Sequence, residues 1–281
     1  GIIWSPKKNF TILTFPGVPN ELKEMWFKQA AQWLINNNYS KKIISSKVLH
    51  FAGISESFLA DKIPHLLKAN NPSVATYAST GEVKVRITAE GDNLESNNRI
   101  IKPIEKELNH ITGLKCFGVD NETLEEVVIK LLLDRKETIA VAESCTGGGI
   151  ASKLTRISGS SKIFYGGVIA YNNNIKEKIL DVPEDIINTH GAVSEPVVKA
   201  MALGIKKKFK VNWAISVSGI AGPTGGSKLK PVGLVNFCIN GPRTLITWEE
   251  RFESYKTRED IQKLSVINAL DRLRLSIIME N

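Results

Sequence analysis

The segment Ala142-Glu143-Ser144-Cys145-Thr146-Gly147-Gly148-Gly149 decides the fold of this chain. It follows a β-like run at 138–141 and precedes a run of helical periodicity at 150–157. A loop of small residues between a strand and a helix gathers several backbone N–H groups near the positive end of the helix dipole, where an anion is stabilised. The segment therefore indicates an α/β unit with an anion site, although similar glycine-rich loops also occur as plain packing turns.

The composition is typical of a globular protein that works in a reducing compartment. The chain has 281 residues, enough for about two domains, and 42% of them are hydrophobic. No apolar run reaches the ~18 residues that a membrane span needs, and the start of the sequence lacks the features of a signal peptide. Cys116, Cys145 and Cys238 are far apart and form no C-x-x-C pair, which disfavours a disulfide framework and a zinc site. We therefore expect a cytoplasmic protein without a membrane partner.

The net charge of +8 is open to three interpretations. It fits a nucleic-acid partner, an anionic small-molecule substrate, or solvated surface lysines. The basic residues are scattered, and the densest cluster, Lys206-Lys207-Lys208 with Lys210, lies at the end of a predicted helix, where cations suit the dipole.

Three segments follow from the pattern of elements: 1–40, 41–119 and 120–281. The first contains a strand at 10–15, a rigid turn at 16–19 and a helix at 20–36. One strand and one helix cannot form a core alone, so we expect them to pack on another part of the protein or on another copy.

The second segment, 41–119, predicts a ferredoxin-like α+β domain. Its elements follow the order β-α-β-β-α-β. The strands are expected at 43–51, 74–78, 82–89 and 114–118, and the helices at 56–69 and 94–109, with Pro64 disturbing the first helix. Many functions occur on this fold, so the fold names none of them.

The third segment, 120–281, predicts a three-layer α/β domain with a mixed sheet. Helices and strands alternate first, which is typical of parallel strands, and a hairpin comes later. The strands are expected at 138–141, 164–171, 213–218, 232–239 and 245–252. The main helices are expected at 124–134, 150–157, 183–188, 194–208, with Ser194 as cap, and 257–278.

A lysine-activated serine is the catalytic arrangement that the residues suggest. No Ser-His-Asp set is visible, and the isolated histidines are interpreted as structural. A buried lysine can lose its proton and accept one from a serine hydroxyl. Ser161, Tyr171 and Lys176 form a candidate trio, but a predicted strand separates Ser161 from the other two, so they meet only if the chain folds back. The alternative is a surface lysine in a polar turn.

Five motifs of the third segment, taken in order, resemble those of the CinA C-terminal family, the nicotinamide-nucleotide amidohydrolases or NMN deamidases. They are AESCTGG at 142–148, GSS at 159–161, HGAVSEPV at 190–197, SGIAGP at 218–223, and Gly225-Gly226 with Pro231-Val232-Gly233. Residues 41–119 are similar to the KH-type linker domain of CinA proteins. Residues 15–21 are similar to the tail of their molybdopterin-binding-like domain.

The resemblance implies hydrolysis of NMN to nicotinate mononucleotide and ammonia, without a metal or a cofactor. It implies Ser161 as nucleophile, Lys176 as its base and Tyr171 as an orienting or relaying group. It further implies that Ser218 forms a hydrogen bond in the site, that Arg258 binds or orients the substrate, and that the protein is a homo-oligomer.

The substrate phosphate and the developing oxyanion need further donors. Ser144, Thr146, Gly147 and Gly148 are candidates for the phosphate, together with Arg258. The oxyanion hole is expected from backbone amides near Ser161 or in the Gly219 loop. Cys145 is a rival nucleophile, because a thiol at a helix N-terminus has a lowered pKa. Glu143 is either a partner of Lys176 or a plain loop carboxylate.

Two other functions stay open at this point. The first is a nucleic-acid or partner-binding module, and the second is an amidase acting on another nucleotide amide. Nucleic-acid binding by a KH domain needs a Gly-x-x-Gly clamp, and none occurs between residues 41 and 119, which disfavours a nucleic-acid partner. The family also has a metal-dependent ADP-ribose pyrophosphatase activity in its N-terminal domain. Only the last strand and helix of that domain are recognisable in 1–40, so we expect no such activity from this chain.

Overall fold

The fold is taken from a computed structural model that describes residues 1–8, 10–37, 39 and 42–280. The first segment contains an antiparallel pair of strands, β1 (Ile2–Lys7) and β2 (Phe10–Thr14). A helical stretch follows, in which a π-helical turn (Trp26–Ala30) separates α1 (Pro19–Met25) from α2 (Ala31–Asn36). The sequence predicted β2 and the helix but missed β1 and the π-turn.

The second segment is a four-stranded antiparallel sheet with its helices in ferredoxin-like order. The strands are β3 (Ile43–Ala52), β4 (Ser73–Ser79), β5 (Glu82–Gly91) and β6 (Cys116–Val119), in spatial order β4-β5-β3-β6. The helices are α3 (Glu56–Lys62), α4 (Pro64–Leu67) and α5 (Leu94–Thr112). The break between α3 and α4 at Pro64 divides the helix predicted at 56–69, since proline cannot donate a helical hydrogen bond.

The described part of the third segment, residues 120–280, contains five strands and six α-helices. The strands are β7 (Ile139–Glu143), β8 (Phe164–Ile169), β9 (Trp213–Gly219), β10 (Leu234–Asn240) and β11 (Leu245–Arg251). The helices are α6 (Leu124–Arg135), α7 (Gly149–Thr155), α8 (Asn173–Leu180), α9 (Glu184–His190), α10 (Glu195–Phe209) and α11 (Arg258–Met279).

The sheet of the third segment is mixed and is covered on both faces, which confirms the predicted three-layer α/β fold. The spatial order is β11-β10-β9-β7-β8, with β8, β7 and β9 parallel and the β10–β11 hairpin antiparallel. One apolar core joins the sheet to α6, α7 and α11, and another joins it to α8, α9 and α10. Every residue of β7 is buried, as expected of a central parallel strand.

Strand β7 lies at a topological switch point. The chain leaves it to form β8 on one side, and β9 pairs with it on the other side. In open α/β sheets, ligands bind in the crevice outside the carboxyl ends of the strands at such a point. The loops after β7, β8 and β9 are therefore the place where a site is expected.

Helix α11 fastens the second segment to the third. Its buried Arg274 donates from Nη2 to the Leu114 carbonyl at 2.6 Å and to Asp271 Oδ1 at 2.7 Å. At the β4–β5 turn, Gly81 has φ +82° and approaches α11 so closely that a Cβ there would lie 2.8 Å from Ile267 Cδ1. The contact at Arg274, in the second half of α11, is polar, whereas the contact at Ile267, nearer the start of the helix, is apolar.

The Arg274 contact gives a test of how the two segments are held together. Arg274→Met leaves the buried Asp271 carboxylate unpaired, so we expect the free energy of unfolding to fall by about 3–5 kcal/mol in urea denaturation. Arg99→Met is the matched control, because Arg99 pairs with Glu95 on the exposed surface of α5, where such a pair contributes about 0.3–0.5 kcal/mol. Equal losses in the two variants would contradict this role of Arg274.

Candidate active site

A cleft of about 310 Å³ lies at the carboxyl ends of the three parallel strands, within the size range of small-molecule sites. The loop after β7 contributes Ser144 and Cys145, and the segment after β8 contributes Tyr171, Asn173 and Lys176. The remaining walls come from Ala192 and Val193, from 218–222 with Thr224 and Gly225, and from Arg258. The cleft thus occupies the crevice that the switch point predicts.

Lys176 is the most unusual side chain of the cleft. It is only 1% exposed, and its Nζ lies 2.7 Å from the Ala170 carbonyl oxygen and 3.3 Å from Ser144 Oγ. Within residues 1–8, 10–37, 39 and 42–280, no carboxylate forms an ion pair with it. Burial lowers the pKa of this ammonium because the charged form loses hydration, although the Cys145 thiolate form would oppose the shift. A lysine with a lowered pKa can act as a general base.

Ser144 provides the hydroxyl beside Lys176. It directly follows β7, and its N–H donates to the Val217 carbonyl at 2.9 Å, which continues the pairing of β7 with β9. The chain then turns through Gly147 and Gly148 at φ +61° and +96°, a backbone region that glycine enters without steric cost. The turn holds Ser144 in the crevice next to Lys176.

Ser161 does not lie beside Lys176, which corrects the expected Ser161–Lys176 contact. Ser161 is exposed in a single 3₁₀ turn, Ser160–Lys162, before the amino end of β8. Lys176 follows the carboxyl end of the same strand. Six extended residues span about 20 Å at ~3.3 Å each, so the two side chains lie at opposite edges of the sheet within one chain.

Tyr171, Ser218 and Arg258 come together around the cleft. The Arg258 guanidinium donates to the Tyr171 hydroxyl at 2.8 Å and to the Gly222 carbonyl at 2.7 Å. Ser218 Oγ donates to the Ala192 carbonyl at 2.7 Å and so fixes a wall. Tyr171 and Arg258 are both exposed and form the rim, whereas Ser218 is buried.

The N-terminus of α7 does not offer the anion site that the loop predicted, because Glu143 already occupies it. This carboxylate is 1% exposed and accepts hydrogen bonds from Ile150 N at 3.0 Å and Ala151 N at 2.8 Å. It also accepts from the Thr146 hydroxyl at 2.6 Å. A built-in anion repels a phosphate there.

The expected phosphate ligands are corrected accordingly. Of the four loop residues, Ser144 lines the cleft, whereas Thr146, Gly147 and Gly148 do not. The same geometry decides the role of Glu143, since its hydrogen bonds go to α7 and Thr146 and not to Lys176.

Cys145 is unsuited to act as the nucleophile. Its side chain is buried, and burial raises the pKa of the thiol to about 12. The neighbouring Glu143 carboxylate acts in the same direction, against the smaller opposing effects of Arg258 and Lys176. A thiol in this state is not ionised near neutral pH, and the thiolate is the reactive form.

Two parts of the cleft had no role in the sequence prediction. The first is the wall formed by Ala192 and Val193, whose HGAVSEPV motif was recognised without a function. The second is Asn173, for which the sequence carried no signal. Ser194 also differs from expectation, because its hydroxyl donates to the Gly191 carbonyl at 2.8 Å instead of capping α10.

Backbone donors are available in the loop after β9. The N–H groups of Ala221 and Gly222 have no acceptor in the part of the chain that the structure describes, and both residues line the cleft.

The described part of the chain contains no helix long and apolar enough to cross a membrane. It also shows no group of three or more His, Cys, Asp or Glu placed to hold a metal ion.

Comparison with known families matches most of the chain. Residues 121–277 match the family described as CinA C-terminal domain, and residues 46–118 match the family described as damage-inducible protein CinA KH domain. A CinA-like protein of Prochlorococcus marinus (strain NATL1A) is 80% identical over 281 residues, which are 100% of this chain and 65% of the relative. A CinA-like protein of Synechococcus sp. (strain CC9902) is 47% identical over 281 residues, which are 100% of this chain and 67% of the relative. The chain thus spans about two thirds of the length of these relatives.

Solved structures resemble a little more than half of the chain. The competence/damage inducible protein CihA from Agrobacterium tumefaciens aligns with a TM-score of 0.53 and 36% identity, covering 55% of this chain and 93% of that protein. A CinA superfamily protein from Klebsiella pneumoniae aligns with a TM-score of 0.53 and 30% identity, covering 56% of this chain and 99% of that protein.

The lowered pKa of Lys176 has a consequence for stability. Between the lowered value and the ordinary value of 10.5, the unfolded chain binds more protons than the folded chain, so stability rises with pH. The contribution is fully present above the unfolded-state pKa and is lost as pH falls through the folded-state pKa. In urea denaturation, Lys176→Met is therefore expected to stabilise the protein relative to the parent most at neutral pH and progressively less toward about pH 10.

Lys207→Met serves as the control for this measurement, because Lys207 is exposed on the last turn of α10. Its difference from the parent should not vary with pH over the same range. A Lys176→Met difference that is independent of pH would contradict a lowered pKa for Lys176.

Proposed function

This chain belongs to the CinA family, and from that membership and the Ser144–Lys176 pair we propose that it is an amidohydrolase of nicotinamide mononucleotide. The observation that carries the proposal is the buried Lys176 ammonium at 3.3 Å from Ser144 Oγ. A serine hydroxyl is a weak nucleophile unless a neighbouring base takes its proton. The proposal keeps Lys176 as the base and moves the nucleophile from Ser161 to Ser144.

In the first half of the reaction, Ser144 Oγ attacks the carboxamide carbon while neutral Lys176 accepts the hydroxyl proton. The Ala170 carbonyl holds Nζ in place through its hydrogen bond of 2.7 Å. The tetrahedral intermediate collapses when the C–N bond breaks and Lys176 gives its proton to the leaving nitrogen. The products of this half are ammonia and an ester between Ser144 and the nicotinoyl group.

In the second half, water replaces ammonia. Lys176 accepts a proton from the water as its oxygen attacks the ester carbon, and it returns that proton to Ser144 Oγ as the ester bond breaks. The balance is one amide and one water consumed, with one carboxylic acid and one ammonia formed. The available N–H groups of Ala221 and Gly222 suit the oxyanion of both tetrahedral intermediates.

The substrate phosphate is assigned to the rim of the cleft. Arg258 retains N–H donors beyond those used for Tyr171 and Gly222, and a guanidinium fork matches phosphate geometry. Placing the phosphate there also keeps it away from the Glu143 carboxylate. The carboxamide then lies deeper, toward Ser144 and Lys176.

The distribution of the basic side chains gives little support to the alternative function of nucleic-acid binding. In the densest basic cluster, Lys208 pairs with Asp181 at 3.0 Å, and Lys206 donates to Asn240 Oδ1 at 3.2 Å. Elsewhere, Lys47 pairs with Glu105 and Lys153 with Glu125. Several basic side chains thus have partners within the protein, whereas a nucleic-acid surface needs a contiguous basic patch.

Ammonia release from NMN, measured with EDTA present, tests the proposal. We expect turnover by the parent and a loss of about three orders of magnitude or more in kcat for Ser144→Ala and Lys176→Ala, as in other serine hydrolases that lose nucleophile or base. Ser161→Ala is the matched control and should retain turnover close to the parent. Loss in Ser161→Ala with retention in Ser144→Ala would reverse the assignment, and no turnover in a folded parent would contradict the proposed function.

The pH dependence of the rate follows from the lowered pKa of Lys176. A general base works in its neutral form, so kcat/KM for NMN is expected to rise with pH and to level off above that pKa. The midpoint should lie below the ordinary lysine value of 10.5. A rate that falls with rising pH in this range would exclude Lys176 as the base.

A further inference from the structure

Residues 190–193, between α9 and α10, form a wall of the cleft whose backbone carbonyls are bound by side chains. Four consecutive carbonyl groups, those of residues 190–193, each accept a hydrogen bond from a side chain. Lys230 Nζ donates to the His190 oxygen at 2.5 Å and to the Val193 oxygen at 2.6 Å. The hydroxyls of Ser194 and Ser218 donate to the Gly191 and Ala192 oxygens at 2.8 and 2.7 Å.

Lys230 contacts this wall from the loop between β9 and β10, outside the lining of the cleft itself. Lys230 follows the glycine-rich stretch after β9 and ends a turn that begins at Ser227. In this turn, Ser227 N donates to the Lys230 carbonyl at 2.8 Å, and Lys230 N donates to Ser227 Oγ at 3.0 Å. Its ammonium has no carboxylate partner in the described part of the chain. Lys230 thus joins the Ser227–Lys230 turn of the β9–β10 loop to the 190–193 wall through backbone carbonyls alone.

Gly191 makes room for this contact. Its φ of +73° favours glycine, and a Cβ at this position would lie only 3.0 Å from Lys230 Nζ. A side chain at residue 191 would therefore both strain the backbone and displace the ammonium. Glycine at position 191 and a cationic side chain at position 230 are therefore both needed for this contact.

We propose that Lys230 is a positioning residue for the reaction, which locks the 190–193 wall in the shape that the substrate requires; this inference rests on the proposed function. With the four carbonyls turned to side chains, the N–H groups of Ala192 and Val193 have no acceptor within the described residues. These two residues line the cleft. Their N–H groups are then the polar groups that the wall offers to the substrate.

The physical reason for a lysine here is the strength of its hydrogen bonds. Hydrogen bonds from a charged donor are roughly twice as strong as those between neutral groups. One compact ammonium can also serve two carbonyls of one turn, since it carries three donors. Displacement of a site wall by about 1 Å can reduce a rate by about 10²-fold even when the reacting groups are untouched.

The test compares steady-state hydrolysis of NMN by Lys230→Met, which keeps an unbranched apolar side chain and removes the ammonium donors, with the parent. We expect kcat/KM to fall by about 10²-fold, mostly through kcat, in a variant that remains folded at the assay temperature. Lys230→Arg should recover most of the activity, because a guanidinium can also donate to both carbonyls. Gly191→Ala should reproduce the loss from the other side of the contact.

Lys228→Ala is the matched control. Lys228 is exposed, lies in the same loop, and has no hydrogen bond or ion pair in the described part of the chain. It should retain the parent's kinetics. Parent-like kinetics for Lys230→Met, or equal losses in Lys230→Met and Lys228→Ala, would overturn the inference.

Hydrogen exchange separates this inference from the proposed function. A peptide covering residues 187–198 should exchange faster in Lys230→Met than in the parent, and Lys228→Ala should leave it unchanged. That measurement needs no substrate. Faster exchange together with an inactive parent would support the locking of the wall and contradict only the amidohydrolase assignment, whereas unchanged exchange would overturn the locking itself.

Discussion

The site depends on the alternation of side chains at the carboxyl end of β7. Consecutive residues of a strand point to opposite faces of the sheet. Glu143 therefore turns to α7 and binds two of its first amides, whereas Ser144 turns to α8 and meets Lys176. The Glu143 carboxylate and the Lys176 ammonium are thus kept on different faces, although Glu143 and Ser144 are adjacent in the backbone. A carboxylate beside Lys176 would stabilise the ammonium and oppose the lowering of its pKa.

The sequence predicted the fold well because the third segment is locally consistent. Strands such as 139–143 are short and apolar, their flanking loops contain glycine, and the helices between them have clear periodicity, so each level of the pattern indicates the same parallel α/β arrangement. Lys176 could be proposed as the base for a different reason, namely the resemblance to the CinA C-terminal family together with the ability of a buried lysine to lose its proton. The break at Pro64 followed from proline chemistry alone.

The errors concern distances that a sequence does not contain. Ser161 and Lys176 are close in the chain, but the extended β8 between them separates them across the sheet. The loop motif indicated an anion at α7, and an anion is present, but it is the carboxylate of Glu143 one position before the loop. Ser194 was suited by type to cap α10, yet the Gly191 carbonyl competes for its hydroxyl. In each case, the sequence offered more than one possible partner for a side chain or an amide group, and only the tertiary structure shows which partner is close enough to bind.

The internal cap on α7 also determines the state of the protein before any substrate arrives. In many phosphate-binding loops, the free amides at the helix N-terminus bind the anion of the ligand. Here the Glu143 carboxylate and the Thr146 hydroxyl complete the loop from within the chain. The turn that carries Ser144 is consequently held by groups of the chain itself, and its shape does not depend on a bound anion.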